Sequence, residues 1–443
     1  MVIFERARYF INHHFVRKSV LLQAGNIAGT FVQAVAGVVL ARLLGPHEFG
    51  RYAIVMSMAA VGSVLLGAGA ADAMAPVLSR ARHSGDDARM RDAMLFLGKF
   101  VLITAVIVFV LGLSMPALAD HFYGDRMLGW FAFAVLMASA VSTILFTPTQ
   151  LSLQVFGRIG RLSALTFTDQ AVRQSLVVAL AFAGLGIVGA SLGHLFGSVL
   201  IMITVAVFWQ RLRSEWPLMP TVGSLWSLFP GNGKQYIRPT LWVLADRNLA
   251  MLYGAAPVAL AALFLTTTDV SYFKIALGWV TLALAVLNPV SVLLNTELAR
   301  IQVQQPMRLR ARFVQVTGVA VIASAFVTGI AALIARPVFH LLYGVQYADA
   351  VPLVYWLVPF GALFGLGIAL GPMWRAMSRV RVSIIINMVV LGVGVPLALL
   401  AMRQWGVLGA VAMVTLWYTA SHLASFVYLM KTLGGEQKIG ARE

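Results

Sequence analysis

Cysteine is absent from this chain, and charge is scarce: 11% of the 443 residues are charged, where soluble domains carry about a quarter. The first absence excludes disulfides and thiolate metal sites. The second, with a mean hydropathy of +0.87, excludes a soluble globular surface. There is no Gly-rich Walker loop with its Lys and no HExxH or other paired metal-ligand motif, and the one G-x-S-x-G string, Gly189 to Gly193, lies inside an expected apolar span and not at a strand-to-helix elbow. An ATP-driven pump in one chain, zinc hydrolysis and serine hydrolysis therefore have no footing. A cleavable signal peptide is not expected either, because the first 18 residues are basic and mixed and the apolar segment after them is too long for an h-region.

What is present is apolar sequence, 60% of the residues, in runs of around 20. That length crosses about 30 Å of hydrocarbon as a helix. The windows predict twelve spans at 19–41, 49–78, 93–118, 128–149, 162–184, 187–208, 237–264, 271–297, 313–338, 349–374, 382–402 and 407–430. With the amino terminus cytoplasmic, inner segments collect 25 of the 33 Lys and Arg, outer turns five, and helices three (Arg173, Arg247, Lys274). The positive-inside bias thus puts both termini in the cytoplasm. It also accounts for the net charge of +17, which is spread over seven inner segments and reads as topology and anionic-lipid contact, with no nucleic-acid partner.

An offset of 220 residues aligns several interface features without a gap. Tyr52 falls on Tyr272, Arg80 on Arg300, Tyr123-Gly124 on Tyr343-Gly344, Arg161-Leu-Ser163 on Arg381-Val-Ser383, and the segment from Gly186 on that from Gly406. A duplication is expected, with six helices per half and so a pseudo-two-fold axis along the membrane normal. The expected organisation is an amphipathic cytoplasmic arm (1–18), a first six-helix bundle (19–208), a cytoplasmic linker (209–236), a second bundle (237–430) and a cytoplasmic tail (431–443). Two bundles rocking about a central cavity are a transporter's architecture.

Polar residues inside spans cost about 2.5–3.5 kcal/mol when charged and central, so each needs a partner or a wet cavity. Gln23, Asn26, Thr30, Gln33 and Gly37 share one face of the first helix, which reads as a water-lined cavity wall. Asp246 and Arg247 lie near mid-depth of the seventh helix. On the fifth, Thr166, Asp169, Gln170, Arg173 and Gln174 form a second stripe. Asp169 and Arg173, four apart, are either a self-neutralising pair or cavity groups, with Arg holding an anion and Asp exchanging H+ or Na+. In the 220 register their counterparts are Val389 and Val393, so the second half lacks the pair. Asp72, Lys274 and Glu297 lie nearer helix ends and read as snorkelling residues, and His194 as a packed one.

The first helix ends in LARLLGPHEFGRYA, Leu40 to Ala53. That pattern, with the twelve-helix plan, resembles the polysaccharide-transporter family of Wzx-type flippases in the multidrug/oligosaccharidyl-lipid/polysaccharide (MOP) superfamily. The resemblance implies an all-α integral membrane protein of MATE-like fold in the bacterial inner membrane. It further implies translocation of polyprenyl-diphosphate-linked oligosaccharide for O-antigen, capsule or exopolysaccharide assembly, with a polysaccharide polymerase and chain-length regulator as partners. Arg173 and Arg247 would then meet the diphosphate or acidic sugars and the first-helix amides the sugar hydroxyls. No cofactor is implied beyond a coupling ion, H+ or Na+, at Asp169 or Asp246. The alternatives are a drug/cation antiporter of the same superfamily, which needs a cavity of net negative charge, and a membrane glycosyltransferase or polymerase, which needs larger outer loops.

Overall fold

The computed structural model describes residues 14–215 and 233–440, with side chains from residue 25 to 434 apart from those at 68, 234 and 296. The arm before residue 14, most of the expected linker (216–232) and the last three residues lie outside the described residues. Eighteen α-helices follow one another, joined by 3-10 and π turns, and no strand occurs among the described residues. In chain order they are α1 (His14–Ser63), α2 (Ala70–Ser84), α3 (Asp87–Gly112), α4 (Met115–Tyr123), α5 (Arg126–Val155), α6 (Ile159–Leu180), α7 (Gly186–Glu215), α8 (Lys234–Ala261) and α9 (Thr267–Leu284). Then come α10 (Asn288–Gln304), α11 (Pro306–Leu333), α12 (Ala335–Leu342), α13 (Val351–Trp356), α14 (Val358–Leu363), α15 (Gly365–Ile368), α16 (Leu370–Ala376), α17 (Val380–Trp405) and α18 (Val407–Gly440).

Among the described residues, eight helices are long and apolar enough to cross a membrane, or nine if the pair Val345–Trp356 and Val358–Ala376, bent by 48°, is one span. Twelve is not reached by this measure, for three reasons. The expected helix 49–78 is interrupted between Ser63 and Ala70, where the Gly67–Gly69 turn is 3-10. The first expected span and the start of the second run on as Gly25–Ser63, as the fifth and sixth do in Ile159–Glu215. Lastly α8, carrying Lys234, Arg238, Asp246 and Arg247, does not qualify. Lys99 also departs from the loop with which its charge was counted: it lies in α3, with its side chain 3% exposed.

The chain forms two compact units, Met1–Leu44 with Met58–Asn248, and Gly45–Ser57 with Leu249–Glu443. The first is organised around Met74, Leu78, Leu97, Leu153, Ile201 and Trp209, the second around Leu298, Phe313, Met373, Trp374 and Leu429. The change of unit at Gly45 is a backbone event. Gly45 has φ 72° and ψ 170°, outside the helical region, and Pro46 follows it. Beyond the break, Gly50 approaches the Thr267 carbonyl so closely that a Cβ there would lie 1.7 Å from the oxygen. The Gly-Pro-x-x-Phe-Gly stretch is therefore a joint, and its second glycine is a packing requirement.

The duplication is visible in backbone angles. Gly186 (φ 52°, ψ −133°) and Gly406 (φ 55°, ψ −129°) agree within a few degrees, 220 residues apart. Tyr123 and Tyr343 each stand before a positive-φ glycine, and burial pushes both hydroxyls up to about 12. Between those landmarks the register slips and returns. Positive φ recurs at Gly157 and at Ser378, 221 apart, and the turns before them repeat their hydrogen bonds at 221: Arg158 N–H to the Leu153 carbonyl (2.8 Å), Arg379 N–H to that of Trp374 (3.0 Å). The second half thus holds one extra residue between Gly344 and Ser378, the stretch that includes its broken run α13–α16 and corresponds to the unbroken α5. The first half holds one extra residue between Gly157 and Gly186, taken up by the π turn Ala181–Leu185 after α6.

This corrects the counterparts of the charged pair. Within α6 and α17 the structural offset is 221, so Asp169 corresponds to Val390 and Arg173 to Gly394; Val389 and Val393 face outward at 59% and 60% exposure. The Arg161 and Arg381 triplets likewise match in sequence only. Packing confirms the register. A Cβ on Gly197 would meet Arg173 Cα at 2.9 Å, and a Cβ on Gly394 would meet Trp417 Nε1 at 2.4 Å. Since Trp417 lies 220 beyond Gly197, each unit places one bulky residue over one glycine, with the two roles exchanged.

Candidate substrate site

All eight residues expected to handle substrate or ion belong to the first unit. The face of α1 with Gly25 and Gly29 is set against α6, where Cβ atoms would meet Ser163 Oγ at 2.1 Å and Gln170 Cγ at 3.1 Å. That packing turns Asn26, Thr30 and Gln33 to the surface of the unit, all three exposed, with the Thr30 hydroxyl donating to the Asn26 carbonyl at 3.0 Å. Gln23 is on the same helix, and its side chain lies outside the described residues. Next to the polar stripe, Ile27, Phe31 and Val35 form an exposed apolar one. An apolar groove of about 540 Å³ runs from there between α1 and α6, with Gln174 on its wall.

Asp169 and Arg173 come together as their spacing predicts. Arg173 Nη2 donates to Asp169 Oδ1 at 2.6 Å and Nη1 to Ser198 Oγ at 2.6 Å. The side chains are 14% and 11% exposed, and Ser198 is fully buried. Gly193 and Gly197 of α7 make this possible: Cβ atoms there would meet the backbone of Val177 at 2.5 Å and of Arg173 at 2.9 Å. His194 is buried on the same helix, one turn before Ser198. Ser198 was not singled out in the sequence; the Gly193-x-x-x-Gly197 spacing, which lets two membrane helices touch, was the available signal.

Asp246 and Arg247, neighbours in sequence, point different ways around α8, as consecutive helical residues must. Asp246 is half-buried, whereas Arg247 is exposed and pairs through Nη1 with Asp72 Oδ2 on α2. The two side chains are 52% and 53% exposed. Asn248, the next residue, donates to the carbonyl of Val64 on the other side of the helix interruption. The interruption has its own cap, since the Gly67 N–H donates to Thr104 Oγ1 at 2.9 Å. Gly69 lets α8 approach, with a Cβ there meeting Leu244 Cδ1 at 3.2 Å and Arg247 Cδ at 3.3 Å. Asp72 and Arg247 lie 12 and 13 residues from Ser84 and Lys234, about 18–20 Å along their helices. Asp72, expected as a snorkelling residue near the end of a continuous 49–78 helix, thus stands in the first turn of α2 and pairs with a residue halfway along α8.

Solved structures share this architecture over nearly the whole chain. An inward-facing multidrug resistance MATE family transporter of the MOP superfamily aligns with a TM-score of 0.73 at 15% identity, over 92% of this chain and 95% of that one. A MOP superfamily transporter from Pyrococcus furiosus gives 0.69 at 14% identity, over 94% and 95%. The eukaryotic MATE transporter AtDTX14 gives 0.66 at 16% identity, over 96% and 99%. The chain is thus an all-helical, multi-pass membrane protein with the MATE-like fold of the MOP transporters. The profile of the family described as polysaccharide biosynthesis protein matches residues 39–352, and the chain belongs to that family. No curated protein matches it in sequence.

Proposed function

We propose that this protein moves a polyprenyl-diphosphate-linked oligosaccharide from the inner to the outer leaflet of the bacterial inner membrane, for O-antigen, capsule or exopolysaccharide assembly. The observation that carries it is the exposed guanidinium of Arg247 at mid-depth of α8, in the same unit as the exposed amides and hydroxyl of Asn26, Thr30 and Gln33, in a chain of the polysaccharide biosynthesis family. Guanidinium is the side chain that matches a phosphate bidentately. Amides and hydroxyls match sugar hydroxyls, and the isoprenoid tail needs only lipid. Ion-coupled alternating access, with H+ or Na+ exchanged at Asp169 or Asp246, supplies the drive; both termini are cytoplasmic, and a polymerase and chain-length regulator act downstream. The protein itself makes and breaks no bonds. A drug/cation antiporter fits less well, because Asp72 and Asp169 are each neutralised by an arginine.

Purified protein in liposomes containing a fluorescent lipid-linked oligosaccharide tests this. The expected result is exposure of the oligosaccharide on the opposite leaflet, accelerated by an ion gradient and slowed by Arg247→Ala. Equal rates in protein-free liposomes would end the proposal, as would glycosyl transfer by the protein alone.

A further inference from the structure

We infer that Asp72 is the resident counter-ion of the substrate-binding guanidinium: it holds Arg247 until the anionic group of the cargo takes its place. This rests on the proposed diphosphate cargo and assigns a positioning residue to the same site. Of the arginine-carboxylate pairs among the described residues of the first unit, two lie within the expected spans, and they differ in access. Arg173 and Asp169 are 14% and 11% exposed, and Ser198 takes a further guanidinium N–H. Arg247 and Asp72 are 52% and 53% exposed, and among the described residues no other hydrogen bond engages that guanidinium. A ligand reaches the second pair without unpacking a helix.

The surroundings fix the arginine and leave the exchange to the acid. The Arg247 stem is seated at Gly69, so the head group has a defined position on α8. A membrane guanidinium left unpaired is costly, which gives the empty site a reason to carry a carboxylate. A diphosphate and Asp72 repel each other and compete for one planar fork. Loading therefore displaces Asp72. Displacement has a mechanical consequence, because α8 is tied to both ends of the interruption: Asn248 holds Val64 at its start and Arg247 holds Asp72 just after it. Exchange at Arg247 releases the second tie and keeps the first, which links cargo loading to the hinge between Ser63 and Ala70.

The test is equilibrium binding of sugar-free polyprenyl diphosphate to the full-length protein in phosphatidylcholine nanodiscs, with thermal unfolding run alongside. Removing a competing carboxylate should tighten binding, so Asp72→Asn is expected to bind about fivefold better than wild type, the upper range for so exposed a pair. Asp72→Ser carries the same expectation if the amide packs badly. Asp72→Glu should bind like wild type, Arg247→Ala should bind less, and Asp72→Asn should change nothing in the Arg247→Ala background. If wild type binds and Arg247→Ala weakens it, but neither Asp72→Asn nor Asp72→Ser binds more tightly, Asp72 is a structural residue and the inference fails alone. Tightening by Asp72→Glu equal to that by Asp72→Asn would overturn it too, since the charge would be irrelevant. If wild type does not bind the diphosphate, or Arg247→Ala binds as well as wild type, the assignment of Arg247 to the cargo fails and takes this inference with it.

Discussion

Arg173 and Arg247 have the same chemistry and the same kind of partner, and their exposure separates what each can do. Arg173 is engaged on both sides of its fork beneath a helix contact. Removing only Asp169 leaves a covered cation, a change that typically costs about 3–5 kcal/mol. Asp169→Ala should therefore lower the unfolding temperature strongly, while the double variant Asp169→Met with Arg173→Met should regain most of the loss. Transport by the stable double variant then separates the two uses left open by the i, i+4 spacing: wild-type rates mean a self-neutralising pair, and abolished transport means a cavity role. Glycines differ among themselves in the same way. Gly37, on the polar face of α1, has open space around its missing Cβ, and Gly50 has a carbonyl oxygen 1.7 Å from it. Gly37→Ala should leave thermal stability unchanged, whereas Gly50→Ala should cost about 1–3 kcal/mol or more, as overpacking does. Equal unfolding temperatures for the two variants would contradict the close approach of α1 to α9.

Helices that look equivalent in sequence are built with different tolerances. The gap-free offset of 220 is the net result of two one-residue differences, one between Gly344 and Ser378 and one at the π turn after α6. A π turn accommodates an inserted residue without rotating the helices on either side. Deleting Gly184 should therefore yield a folded protein, since α17 reaches Gly406 without that residue. Deleting Val172 should not, because it turns the rest of α6 by about 100° and takes Arg173 off Ser198. Yield and monodispersity of the two deletions in detergent are the measurement, and two equally stable proteins would contradict the assigned register. This slip was not legible in the sequence, since a helix reads much the same with one apolar residue more or less. The break between Ser63 and Ala70 was half legible: two glycines mark a weak stretch, but the Thr104 and Asn248 hydrogen bonds that hold it open come from residues about 40 and 180 positions away.

At the scale of the whole chain, the family and the fold class are legible in the amino-acid sequence. Charge scarcity, helix-length apolar runs and the Leu40 to Ala53 signature pointed to a MOP-type membrane protein, and the family match and the solved structures agree. Membrane orientation is a further expectation of that kind. A fluorescent protein fused at either terminus should be bright and an alkaline phosphatase fusion inactive, and the reverse pattern would invert the direction assigned to transport.

What the sequence determined by itself is whatever depends on composition and short-range periodicity: residence in the bilayer, helical spans, the duplication, and the Asp169–Arg173 pair, whose partners are one helical turn apart. Only the tertiary structure decided which of the two arginines is exposed, that Arg247 answers to Asp72 and not to its neighbour Asp246, and that Arg173 corresponds to a glycine in the repeat. Those facts depend on where helices distant in the chain touch. A membrane helix records such contacts in glycines and in single polar residues, which have no period to read.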